Sequence, residues 1–91
     1  MTLKDQTKFQ LINKVLMKWD PLDVQGPAVE SEYVEIIPKL LSSGKDVNTI
    51  FSILEDYEIN FLGTNYDKNN PDHVNELKNV AEEIYKVLQG G

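Results

Sequence analysis

The chain contains no cysteine and no arginine. Without cysteine there are no disulfides, no thiolate zinc ligands and no Cys nucleophile. Without arginine there is no planar, bidentate reader of phosphate or guanine. No apolar run approaches the roughly 20 residues of a membrane-spanning helix. The stretch from Met1 to Gln6 lacks the apolar segment of a secretion signal. There is a single Trp and a single His. Aromatics interleaved on a basic face, as RNA binders need, are missing. So are the Gly-rich phosphate loop, the His-Glu zinc helix and the exposed Ser elbow. The expectations are no cofactor, no bound metal, no nucleic-acid or membrane partner and no enzymatic activity, in a cytoplasmic setting.

What is present is an ordinary globular composition, 41% hydrophobic and 26% charged over 91 residues. That length allows one domain, residues 1–91, with 1–3 and 90–91 expected to fray. The net charge of −6 is unevenly placed: residues 1–45 balance six Lys against six acids, and residues 46–91 set three Lys against nine acids. An acidic half repels phosphate and attracts basic partners, and it also keeps a protein dissolved.

Four segments repeat apolar residues with the helical period of about 100° per residue. From about Lys4 to Trp19, one face carries Phe9, Ile12, Val15, Leu16 and Trp19, with Lys4, Lys14 and Lys18 on a flank. Asp20-Pro21 ends it. From about Ser31 to Ser43 the stripe is Tyr33, Ile36, Ile37, Leu40 and Leu41. Ser31 is the expected N-cap, Gly44 the C′ residue, and Pro38 marks a bend or a late start. The third segment opens at Asp46, an N-cap, and reaches Asn60 or Leu62 before Gly63; its stripe is Val47, Ile50, Phe51, Leu54, Tyr57 and Phe61. The fourth opens at Asn70-Pro71-Asp72 and carries Val74, Leu77, Val80, Ala81, Ile84 and Leu88. The expected fold is all-α: a small up-and-down bundle of four helices, or three plus a loosely packed fourth, with a long loop between the first two.

That loop, from Asp20 to Glu30, is longer than the two to eight or so residues usual between bundle helices. It is read either as a binding loop or as a corner packed over the bundle end by Leu22, Val24 and Val29. In the second reading Asp20 bonds nearby backbone N–H groups, and Trp19 is a core anchor whose indole finds a partner. Asp20, Asp23, Glu30 and Glu32 offer oxygens for a metal, but Gly26 stands one position late for a calcium loop and no Glu closes it. The segment Asp67 to Asp72 lacks the central Gly. His73, in the first turn of the last helix, is expected to be neutral and to cap or edge the core. Glu58 falls inside the apolar arc between Leu54 and Phe61. Either it is buried with partners, or it marks a contact surface, or the helix ends before it.

Trp19-Asp20-Pro21-Leu22 after a Lys-rich helix, then Glu32-Tyr33, Pro38, Leu40-Leu41, Gly44, Ile50 and Leu54-Glu55, resembles the YugE-like proteins of bacilli, a family of small uncharacterised bacterial proteins. The resemblance covers roughly residues 9 to 63. It implies an all-α fold and a bacterial cytoplasmic protein, and no activity. Asp23 stands where such proteins would have Gly, so a tight turn is not expected there.

The functional expectation is a non-enzymatic protein-interaction module. One alternative is an acidic immunity or antitoxin-like inhibitor of a basic enzyme; a second is a small metal-binding protein or enzyme using the loop carboxylates. Candidate contact residues in the loop region are Trp19, Asp20, Asp23, Glu32 and Tyr33. In the acidic half they are Tyr57, Glu58 and Tyr85, where Tyr suits an interface because it is apolar at one end and polar at the other. The expected partner is another protein of unknown identity, or a second copy in a weak homodimer.

Overall fold

The computed structural model describes residues 3–64 and 66–90. Met1, Thr2 and Gly91, expected to fray, lie outside the described residues, whereas Leu3 and Gly90 are helical. Helix α1 (Leu3–Trp19) turns Ile12 and Leu16 fully inward, with Phe9, Val15 and Trp19 packed at the core's edge. It stops at Asp20, whose φ of 43° lies in the left-handed region, while its N–H still closes onto the Leu16 carbonyl at 2.8 Å. A residue before proline avoids the right-handed helical region, and Asp is among the few side chains that tolerate this alternative.

The second arm departs from expectation. No continuous helix runs from Ser31 to Ser43. The chain forms a short α2 (Val29–Glu32), breaks at Tyr33, makes a 3-10 turn (Val34–Ile36) and then enters α3 (Ile37–Ser43). Pro38 sits in the first turn of α3, where its missing N–H is harmless. The 3-10 turn has the same cause. Pro38 cannot donate to the Val34 carbonyl, so the Ile37 N–H takes that carbonyl one residue early. Ser31 is not a cap; it lies within α2, and its hydroxyl donates to the Ala28 carbonyl at 3.4 Å.

Helix α4 (Val47–Asp56) starts as its sequence predicts, with the Asp46 carboxylate accepting the Thr49 N–H at 2.7 Å. Beyond it the chain widens into a π turn (Tyr57–Leu62) and ends at Gly63, in the left-handed conformation with φ 63°. Helix α5 (Pro71–Gly90) is well packed, with Leu77, Val80, Ala81 and Ile84 buried. It runs antiparallel to α1: the Lys8 ammonium donates to the Leu88 carbonyl at 3.2 Å, and Trp19 and Leu77 line one cleft at the opposite end. Helix α5 packs on α1 and α4, and α3 closes the gap between those two. The result is an all-α, up-and-down bundle of four helical arms. No helix among the described residues is long and apolar enough to cross a membrane.

Candidate functional site

At the end of the bundle away from both chain termini, a cleft of about 230 Å³ opens where the two halves of the sequence meet. Trp19, Asp20 and Pro21 form one wall; Glu58 from the π turn, then Thr64 and Tyr66, form another; His73, Glu76 and Leu77 of α5 form the floor. Of the residues expected to matter, Trp19 and Asp20 therefore line the same cleft as Glu58, which is distant from them in sequence.

Trp19 is half-buried rather than a core anchor, and its indole N–H has no hydrogen-bond partner among the described residues. It separates the cleft from a shallower groove along α1 and α5 that holds the exposed pair Lys18–Glu83, 3.9 Å apart. Asp20 does what a turn aspartate does. Its two oxygens accept the Val24 and Gln25 N–H groups, both at 3.0 Å, and the Tyr33 hydroxyl donates to it at 2.5 Å. Partial burial works to raise the Asp20 carboxyl, but these three donors outweigh it and hold the group below the usual range. Tyr33 is fully enclosed; its hydroxyl also accepts the Leu22 N–H at 3.0 Å. Burial and the neighbouring Asp20 carboxylate push its phenol well up. Tyr33 is thus a core residue that pins the loop, not a surface contact.

The rest of the loop only partly follows the packed-corner reading. Val29 joins the core's edge, but Leu22 is exposed. A tight turn does form at Asp23, which takes a left-handed φ of 53° itself and accepts from the Gln25 amide at 2.5 Å. Asp23 and Glu32 both face solvent. Among the described residues no three carboxylates or histidines are grouped to hold a metal ion.

Glu58 is the sharpest feature. The helix does not end before it. One turn after Leu54, it is carried inward and is only 6% exposed. One oxygen accepts the Thr64 hydroxyl at 3.3 Å, and the other has no partner among the described residues. Burial pushes its carboxyl up to about 7 against the pull of Thr64, and the charges of Glu76 and Glu55 add to the rise. Tyr66 donates to Glu55 at 2.7 Å, and its ring lies 6.1 Å from that of His73. The His73 Nδ1 accepts the Asp67 N–H at 3.0 Å, which leaves the ring proton on Nε2. His73 is the core-edge residue its position suggests, and it also lines the cleft.

Thr64, Tyr66, Glu76 and Leu77 join the cleft without any sequence signal that marks them as site residues. Periodicity places Leu77 in the core and Glu76 beside it; the positions of Thr64 and Tyr66 depend on where the π turn releases the chain. Tyr57 is buried and its hydroxyl is unpartnered among the described residues, while Tyr85 is half-buried against the core. Comparison with family models, with curated proteins and with solved structures finds no match to this chain.

Proposed function

We propose that the protein is a non-enzymatic interaction module that docks a partner protein through the outer face of its π turn. The observation that carries this reading is Phe61, which is 63% exposed on the π turn; Ile59, elsewhere on the same turn, is 45% exposed. Phe61 is the most exposed of the large apolar side chains, and aromatic anchors dominate protein contacts. Phe61 is a rigid knob: its ring stacks on buried Tyr57 with centroids 5.2 Å apart. Carboxylates lie near the Tyr57 ring on which Phe61 stacks. Burial first, then the charges of Glu35 and Glu32, push the Tyr57 phenol up to about 12. Asp56, the last residue of α4, adds a third acid and accepts from Asn60 of the π turn at 2.5 Å. An apolar centre with an acidic rim fits a partner that has an apolar pocket rimmed by Lys or Arg.

The same rim favours a second reading, an inhibitor of a basic enzyme. That reading needs binding dominated by charge, with steep weakening as salt rises. Membership among the YugE-like proteins is proposed on the residues quoted above, and contact between Asp20, Leu22 and Tyr33 supports their being one structural unit.

The test is capture of partners from a bacterial lysate with the native chain and with Phe61→Ser, identified and then titrated at low and high salt. The expected result is a partner lost or weakened at least about tenfold by Phe61→Ser, with unchanged thermal unfolding because the ring is exposed. A partner indifferent to Phe61 but released by moderate salt supports the inhibitor reading. Self-association that tightens with salt and needs Phe61 points to a second copy as the occupant. No partner and no self-association would end the proposal.

A further inference from the structure

Resting on the docking reading above, we infer that the π turn docks on a second copy of this chain, in a head-to-tail contact that seats Phe61 of one copy against Leu11 on the outer face of α1 of the next. Helix α1 carries the charge that the π turn lacks. From Gln6 to Trp19 it has three Lys and no acid, in a chain whose net charge is −6. At about 100° per residue, Lys8, Lys14 and Lys18 all lie within about 60° of Leu11 around the helix. Ile12 and Leu16 turn into the core, so this stripe faces outward, and Leu11 is 40% exposed. Lys14 is exposed and has no ion-pair partner among the described residues. Lys18 has only the exposed Glu83, 3.9 Å away. The Lys8 ammonium is held by the Leu88 carbonyl and adds its charge to the stripe from the side.

The two faces match in kind and oppose in sign. The π turn offers exposed Phe61, with Glu32 and Glu35 near the Tyr57 ring on which it stacks and Asp56 bonded to Asn60. Helix α1 offers an exposed aliphatic residue flanked by lysines, which is the Lys-rimmed apolar surface that the docking face requires. Lysine stems lay methylenes along a ring while their heads reach for carboxylates, and an ammonium over the ring face is attracted to it. A symmetric pairing of two acidic faces, or of two basic ones, sets like charges against each other. The contact is therefore heterologous: a dimer keeps one free face of each kind, and a third copy can add at either end. One aromatic knob on one helical stripe is a small interface, so its Kd is on the order of 0.1–1 mM.

Sedimentation equilibrium of the intact protein tests this. Salt is held at about 0.1 M, where repulsion between the net charges of two copies is screened beyond about 10 Å but charges in contact are not, and then raised to about 1 M, where both are screened. The expected average mass grows with protein concentration past the dimer at the lower salt, and the association weakens at least about threefold at the higher. Phe61→Ser and Leu11→Ser alter exposed side chains, so both variants keep the native circular dichroism, and each alone is monomeric. Mixed, they form a dimer and nothing larger, because one brings an intact α1 face and the other an intact π turn. Lys14→Glu weakens the native association about fivefold or more. A monomer at about 2 mM protein, association that tightens with salt, or a mixture of the two variants that stays monomeric would overturn the inference. A chain that does not self-associate but binds a different protein through Phe61 sinks the second copy and leaves the docking reading standing. Self-association unchanged by Phe61→Ser, with no other protein that needs Phe61, ends both.

Discussion

Tyr33 shows how one side chain organises the chain's longest ordered connection. Its ring fills the core, and its hydroxyl sits between a donor, the Leu22 N–H, and an acceptor, the Asp20 carboxylate. The loop contains three left-handed non-glycine residues, Asp20, Asp23 and Gln25. Such conformations persist only where surrounding bonds over-determine them. Tyr33→Phe keeps the ring and removes the bonds, leaving the Leu22 N–H without its acceptor. It should cost about 1–3 kcal/mol in urea unfolding while helix content stays unchanged. Stability equal to the native chain would mean that the loop is held by other contacts. Asp20 was legible as a turn aspartate because aspartate before proline at a helix end has few alternatives. The role of Tyr33 was not, because a Tyr in an apolar stripe reads the same whether its hydroxyl is buried or wet.

At the scale of elements, the informative departure is the π turn. Up to Tyr57 the helical period holds, which is why Ile50, Leu54 and Tyr57 all lie inside. The wider turn then takes an extra residue to come round. Leu62 rather than Phe61 returns to the core's edge, and Phe61 is left outside. A period of 3.6 read straight through this segment places Phe61 in the core, and nothing in the residues themselves announces the change. The glycines at the two helix ends differ in kind as well. Gly44 has a φ of −79°, outside the left-handed region, but a Cβ there would lie 2.5 Å from the backbone carbonyl oxygen of Leu40 in its own arm and 3.0 Å from Leu88. Gly63 has open space and a φ of 63°. Gly44→Ala should therefore distort the end of α3 against its own Leu40 carbonyl and press on Leu88, and cost about 1–3 kcal/mol, as overpacking does. Gly63→Ala should cost about 1 kcal/mol from backbone strain alone. Chemical denaturation of the two variants checks the order, and packing shifts at Leu88 should appear only for Gly44→Ala.

For the whole molecule, four helical arms were readable from periodicity, from Asp46 and Asn70-Pro71, and from Gly63, because these are local signals. The cleft was not readable, because it exists only once α5 lies antiparallel to α1 and brings Glu76 against a residue of the other wall. Its central member also sets the pH response of the fold. The Glu58 carboxyl is raised in the folded chain from about 4.5 to about 7. A group raised on folding adds stability that is full below the unfolded value and is lost as pH climbs through the folded one. Between about pH 4.5 and 7, stability should fall by about 3 kcal/mol from this group. Asp20 works in the opposite direction and in a lower window: its lowered carboxyl supports the fold above its ordinary value of 3.8, and that support is lost on further acidification. The most direct test of the arrangement is the titration of the Glu58 side-chain carboxyl carbon, followed by NMR in the intact protein. A midpoint near 7 is the predicted result. A midpoint at the ordinary 4.5 would place Glu58 in solvent and contradict both the inward register of the π turn and the cleft built on it.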